Sequence, residues 1–139
     1  MRRVLKRDGF ALVTCPDFEA VAAGIAEHGL DHVAYHAPAG PITLHDIVFG
    51  HTASIERGAV AMAHRTGLTT ERLGNLAIEA GFETASIGRG QGYDLWAVLL
   101  MPDTDRRVIE DVLAGTPGAF LTAPERPREI IPQDRTFAA

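Results

Sequence analysis

Apolar residues in this chain recur at helical spacing in some stretches and form short continuous runs in others. Helical spacing over residues 18–28 and 69–80 predicts two helices, and shorter patterns predict two more over 44–57 and 105–114. Apolar runs at 10–14, 82–87 and 93–101 predict strands. The alternation predicts a mixed α/β fold with a small sheet.

Turn-forming and capping residues mark the ends of these elements. Asp17 is expected to cap the helix at 18–28, and Thr43 the helix at 44–57. Residues 30–41 contain prolines and a glycine with little periodicity, so they predict a loop. The glycines of 88–92 lead into an apolar run rather than a helix, which favours a hairpin turn over a nucleotide-binding loop.

Composition narrows the class of protein further. The chain has 139 residues, of which 46% are hydrophobic and 22% charged, which is typical of one globular domain. A net charge of −5 argues against general nucleic-acid binding, and no apolar run reaches the length of a membrane span. We therefore expect a cytoplasmic protein with one domain over residues 1–115 and a surface tail over 116–139, rich in proline and charge.

Six histidines fall between residues 28 and 64 and are the most conspicuous candidates for chemistry. None of their spacings places a glutamate between a helical i, i+4 pair, so a metal site is not predicted. Structural histidines are the default interpretation, and histidines that orient a substrate are the second. The lone cysteine, Cys15, follows a predicted core strand and is interpreted as an inert thiol.

Three stretches of sequence carry a resemblance to a known family. The first is RVLKRDG with the apolar run that follows it, over residues 3–17. The second is YHAPAGPIT at 35–43 with DIVFGH at 46–51, and the third is MAHRTGLT at 62–69 with AGF at 80–82 and YDLWA at 93–97. In this order they resemble the C-terminal half of bacterial class I S-adenosylmethionine (SAM)-dependent methyltransferases.

The resemblance implies a small three-stranded mixed sheet flanked by about four helices, with the strand at 93–101 antiparallel between the other two. It also implies the substrate-side part of a methyltransferase, either truncated or half of a split enzyme. Residues that could orient a substrate in such an enzyme are Asp17, His36, His45, His51, His64 and Arg65. No general base is assigned among them.

The family holds SAM with a glycine-rich turn after its first strand and an acidic residue after its second, and this sequence contains neither. We therefore expect no SAM site in the isolated chain, and SAM binding only if a partner completes it. The strand at 10–14 is expected to leave one edge unpaired, which a homodimer, a separately encoded SAM-binding half or a rearranged N-terminus would cover. The alternatives are a non-catalytic binding or dimerisation module and a small metal-dependent enzyme.

Overall fold

The computed structural model describes residues 2–122 and the backbone of residues 128–130. Its helices and strands are β1 (Phe10–Pro16), α1 (Phe18–His28), β2 (Val33–Ala37), β3 (Gly40–Thr43), α2 (Leu44–Phe49), α3 (Thr52–Glu56), α4 (Thr70–Glu79), β4 (Thr84–Arg89), β5 (Asp94–Leu100), α5 (Arg106–Leu113) and β6 (Arg128–Ile130). Short 3-10 turns lie at Arg2–Val4, Val60–Met62 and Ala119–Leu121. The mixed α/β class that the sequence predicts is confirmed.

The chain divides into two compact units. Unit 1 consists of Met1–Thr14, Thr70–Gly88 and Leu95–Ala139, and unit 2 of Cys15–Thr69 and Arg89–Asp94. The chain therefore leaves unit 1 and returns to it twice.

The main sheet has the strand order β1-β5-β4-β6. Strands β1, β5 and β4 are antiparallel to their neighbours, so β1 and β4 point the same way with β5 reversed between them. This is the order that the resemblance implies for the three predicted strands. The short strand β6 was not predicted, and it pairs antiparallel with β4 from Ala85 to Ile87.

The core of unit 1 forms around β5 and α5. It contains Val98, Leu100, Ile109, Leu113 and Leu121, all nearly inaccessible to solvent. Leu121 is only 2% exposed, and Phe120 packs against the same cluster. Leu121 is therefore part of the core of unit 1, although it lies in the stretch from residue 116 that was expected to be a surface tail. Residues 123–127 and 131–139 of the expected tail lie outside the described residues.

Two predictions within unit 2 are wrong. The expected loop at 30–41 contains the antiparallel hairpin of β2 and β3, which pairs His36 with Pro41 and Ala37 with Gly40. Most of its residues are exposed or only partly buried, with Ile42 as the buried exception, so the sequence shows no clear alternation of apolar and polar residues. The expected helix at 44–57 is two helices, α2 and α3, which Gly50 separates at a φ of 98°.

Gly50 has a packing reason as well as a conformational one. A β-carbon at this position would overlap the backbone carbonyl of Met62. A side chain is therefore excluded both by the left-handed backbone and by the segment that passes beside it. Within residues 2–122 and 128–130, no helix combines the length and the apolar character that a membrane span needs.

Candidate functional site

Asp17 lies at the junction of β1 and α1 and is completely buried. Its Oδ1 accepts a hydrogen bond from the Glu19 N–H at 3.0 Å, which confirms the predicted N-cap. Its own N–H donates to the Tyr93 carbonyl at 2.9 Å. A buried carboxylate needs more than a cap to offset its lost hydration, and this one has a charged partner.

That partner is Arg89, the last residue of β4. Its Nε lies 2.5 Å from Asp17 Oδ2, and its Nη2 pairs with the carboxylate of Glu19. Hydrogen bonding and charge attraction from Asp17 raise the pKa of Arg89 above its ordinary value. Because one guanidinium pairs with two carboxylates, Arg89 at the end of β4 is held at the start of α1 within unit 2.

Tight packing accompanies this charge cluster. A β-carbon placed on Gly24 of α1 would lie 2.8 Å from the Tyr93 hydroxyl oxygen, closer than a real β-carbon approaches a neighbour. The side chain of Tyr93 also packs against the buried cluster of Val21, Leu44 and Ile47. Cys15 lies two residues before Asp17 and is half-buried. Burial is the larger cause that raises the pKa of its thiol, and the charge of Asp17 is the smaller one. Its interpretation as an unreactive thiol agrees with that direction.

Helix α2 begins with the predicted cap, which forms a complete capping box. Asp46 Oδ2 accepts from the N–H of Thr43 at 3.0 Å, and Thr43 Oγ1 accepts from the Asp46 N–H at 3.2 Å. Asp46 Oδ1 also accepts from the Thr52 N–H at 2.8 Å, which ties α3 to α2. Desolvation acts to raise the pKa of Asp46, but these hydrogen bonds outweigh it and hold the pKa well below its ordinary range.

Three of the predicted substrate-orienting histidines gather around α2. His45 lies on α2, with its ring 4.9 Å from the ring of Phe49 and its Nδ1 3.4 Å from Thr52 Oγ1. His51 precedes α3, and its Nδ1 lies 2.8 Å from Ser54 Oγ. The break at Gly50 places these two histidines on separate elements rather than on one helix.

His64 contacts the C-terminal end of α2 through two hydrogen bonds. Its backbone N–H donates to the Phe49 carbonyl at 3.1 Å, and its Nδ1 lies 2.9 Å from the Ile47 carbonyl oxygen. It therefore satisfies two carbonyls near the C-terminal end of α2, which have no partner within the helix.

No described side-chain contact links His36 or Arg65 to the histidines around α2. His36 is exposed on β2 opposite Pro41, and Arg65 is exposed after His64. Among the residues that the structure describes, no three His, Cys, Asp or Glu side chains form a group that could hold a metal ion.

The glycine-rich stretch at 88–92 does not have the geometry of a nucleotide-binding loop. Gly88 lies in β4, Gly90 and Gly92 lie in the turn between β4 and β5, and no helix N-terminus follows them to face a ligand. The turn is instead occupied by the carboxylate of Asp94, which accepts from the Gly92 N–H at 2.9 Å.

Arg89 was missed in the sequence reasoning. The signal available was an arginine among the glycines of the turn, but its partner Asp17 is 72 residues away in sequence. No protein-family model, curated protein or solved structure matches this chain. The functional argument therefore rests on the residues and their geometry.

Proposed function

We propose that this chain supplies the substrate-side part of a class I SAM-dependent methyltransferase, with SAM held by residues of a partner. The observation that carries the proposal is the strand order, in which β5 runs antiparallel between β1 and β4. That order is the one the sequence resemblance implies. A cytoplasmic location remains a prediction from the sequence.

Unit 2 is the part that would meet the substrate. It follows β1 in the chain, as the family's pocket-covering insertion follows the corresponding strand, and it carries all six substrate-orienting candidates. Of these, His45, His51 and His64 adjoin α2, while Asp17 is already engaged by Arg89 and by a helix N-terminus. We assign Asp17 a structural role and keep the α2 histidines as the substrate-facing group.

Calorimetry and a methyl-transfer assay test the proposal together. The isolated chain should not bind SAM tightly, because it lacks the residues to hold it. A complex of the chain with a SAM-binding partner purified from the source cells should transfer tritium from [methyl-³H]SAM to a small-molecule acceptor. Tight SAM binding and methylation by the isolated chain would contradict the proposal, and so would a partner complex that binds no SAM.

A non-catalytic dimerisation module is the second candidate, and features of unit 1 favour it. Among the described residues, β1 has a strand neighbour on one side only, β5. Leu12 on that strand and Val108 and Val112 on α5 are exposed by 43%, 54% and 52%. An unpaired strand edge with exposed apolar side chains is a common site of self-association.

Light scattering after size-exclusion chromatography distinguishes this candidate. A dimer that becomes monomeric in a Val108→Lys, Val112→Lys variant would support it, whereas a wild-type monomer at high concentration would contradict it. The charge-preserving control is Val108→Thr, Val112→Thr, which removes little apolar surface and should remain dimeric.

A further inference from the structure

Two histidine rings lie against each other at the C-terminal end of α1. The ring centroids of His28 and His32 are 4.5 Å apart, and the ring planes are inclined by 31°. His28 is the last residue of α1, and His32 directly precedes β2. Neither belongs to the group of histidines around α2. Because imidazole is the commonest metal ligand in proteins, this pair is a separate candidate for metal binding.

The backbone around the pair is held on both sides. Gly29 ends α1 with a φ of 88°, and its N–H donates to the Ile25 carbonyl at 2.9 Å. The His32 carbonyl accepts from the Leu44 N–H at 2.9 Å, and the His32 N–H donates to the Gly29 carbonyl at 3.3 Å. Two ligands whose backbone is fixed before binding lose little conformational entropy when a metal binds them.

The spacing of the two rings matches that of two ligands on one metal ion. A metal in the ring plane, about 2.1 Å from a ring nitrogen, lies about 3.2 Å from the ring centroid. Two centroids 4.5 Å apart then subtend an angle of about 90° at the metal. This is the angle between neighbouring ligands in the square-planar and tetragonal sites of Cu²⁺ and Ni²⁺. A tetrahedral zinc site would require centroids about 5.2 Å apart.

Charge and access also suit a cation. The Glu27 Oε2 atom lies 3.7 Å from His28 Nε2, which places a negative charge beside the pair. The side chains of His28 and Glu27 are 38% and 75% exposed, so an ion can reach them from solvent. Within the described part of the chain, no group of three ligand side chains could hold a metal, so the two imidazoles would be its protein ligands.

We propose that His28 and His32 chelate one divalent copper or nickel ion, with water in its remaining coordination positions. Each neutral imidazole donates one nitrogen lone pair to the ion and displaces one of its bound waters. The site lies outside the group around α2 that the proposed function uses. It therefore goes beyond that function and does not depend on it.

Titration calorimetry of the full chain without an affinity tag tests the proposal. Ni²⁺ and Cu²⁺ should each bind at one ion per chain, with Cu²⁺ bound more tightly. His28→Gln and His32→Gln each remove one ligand from the surface, so both variants should keep the wild-type melting temperature. Each should bind Ni²⁺ at least about tenfold more weakly, because the second ligand of a chelate binds intramolecularly.

His36→Gln is the matched control. His32 and His36 are also four residues apart, but His36 lies on β2, where four residues of extended chain span about 13 Å. Two imidazoles at that separation cannot bind the same ion, so His36→Gln should bind Ni²⁺ like the wild type.

Electron spin-echo envelope modulation of the Cu²⁺-loaded chain gives a second readout that needs no variant, and it should show two coordinated imidazoles. A single coordinated imidazole, no binding at one ion per chain or wild-type affinity in His28→Gln would each overturn the proposal. An equal loss in His36→Gln, or tighter binding of Zn²⁺ than of Ni²⁺, would also overturn it. None of these results bears on methyl transfer by a partner complex, so the two proposals fail separately.

Discussion

Replacing Arg89 by methionine would test how strongly unit 2 depends on a counter-charge for Asp17. The Asp17 side chain is 1% exposed, and Arg89 supplies the guanidinium that faces its Oδ2. Methionine keeps much of the apolar stem of arginine but removes the charge. The carboxylate would then stay buried without that counter-charge, while its contact to the Glu19 N–H remains.

The magnitude follows from how buried each partner is. Removing one member of a buried ion pair costs about 3–5 kcal/mol. The Arg89 side chain is 54% exposed, so water can enter from its side, and we expect a cost below this range, roughly 2–3 kcal/mol. Asp17→Asn should cost less, about 1 kcal/mol, because asparagine caps a helix as well as aspartate does. The exposed arginine left behind remains hydrated.

Urea unfolding followed by circular dichroism measures these differences, and the double variant is the decisive comparison. Asp17→Asn combined with Arg89→Met leaves no buried charge, so it should cost clearly less than the sum of the single changes. Glu19→Gln is the control for the exposed half of the cluster, and it should cost under about 1 kcal/mol. An Arg89→Met variant within about 0.5 kcal/mol of the wild type, or strict additivity, would refute the reasoning.

Three further predictions concern other contacts. The hydrogen bonds to Asp46 lower its pKa in the folded state, so their contribution is complete above the unfolded value of about 3.9 and is lost as pH falls below it. Thermal melts should therefore show Asp46→Asn less stable than the wild type at pH 7, with the difference shrinking in acid. Gly50→Ala should cost more than Gly58→Ala in denaturant unfolding; both have a positive φ, but only at Gly50 does the new β-carbon meet the Met62 carbonyl. Leu121→Ala should lower stability by about 2–5 kcal/mol, and equal stability would remove this residue from the core of unit 1.

Local sequence signals were sufficient where neighbouring residues decide the outcome. The helix at 18–28, its cap at Asp17 and the capping box at Thr43 all depend on groups within three residues of each other. Such contacts repeat from protein to protein, so residue type and spacing predict them. The same holds for β5, because its continuous run of apolar residues predicts a buried strand.

Local sequence signals failed where contact with a distant segment of the chain determines the structure. The hairpin of β2 and β3 has few buried side chains and no clear apolar alternation, so only the pairing itself identifies it. Of the candidate site, the sequence supplied the histidines but not the roles that separate them. His64 differs from His51 through a carbonyl 17 residues earlier in the chain, and no spacing rule points to that contact.

The sequence by itself determined the α/β class, most of the helices, the three principal strands and the residues whose side chains could bind a ligand or transfer a proton. Only the tertiary structure decided that Arg89 neutralises Asp17, that Gly50 splits a helix and that Leu121 completes a core. The physical reason is the same in each case. Periodicity and capping are properties of a few adjacent residues, whereas charge pairing, close packing and the hydrogen bonding of a histidine depend on which distant groups the folded chain brings within hydrogen-bond or contact distance.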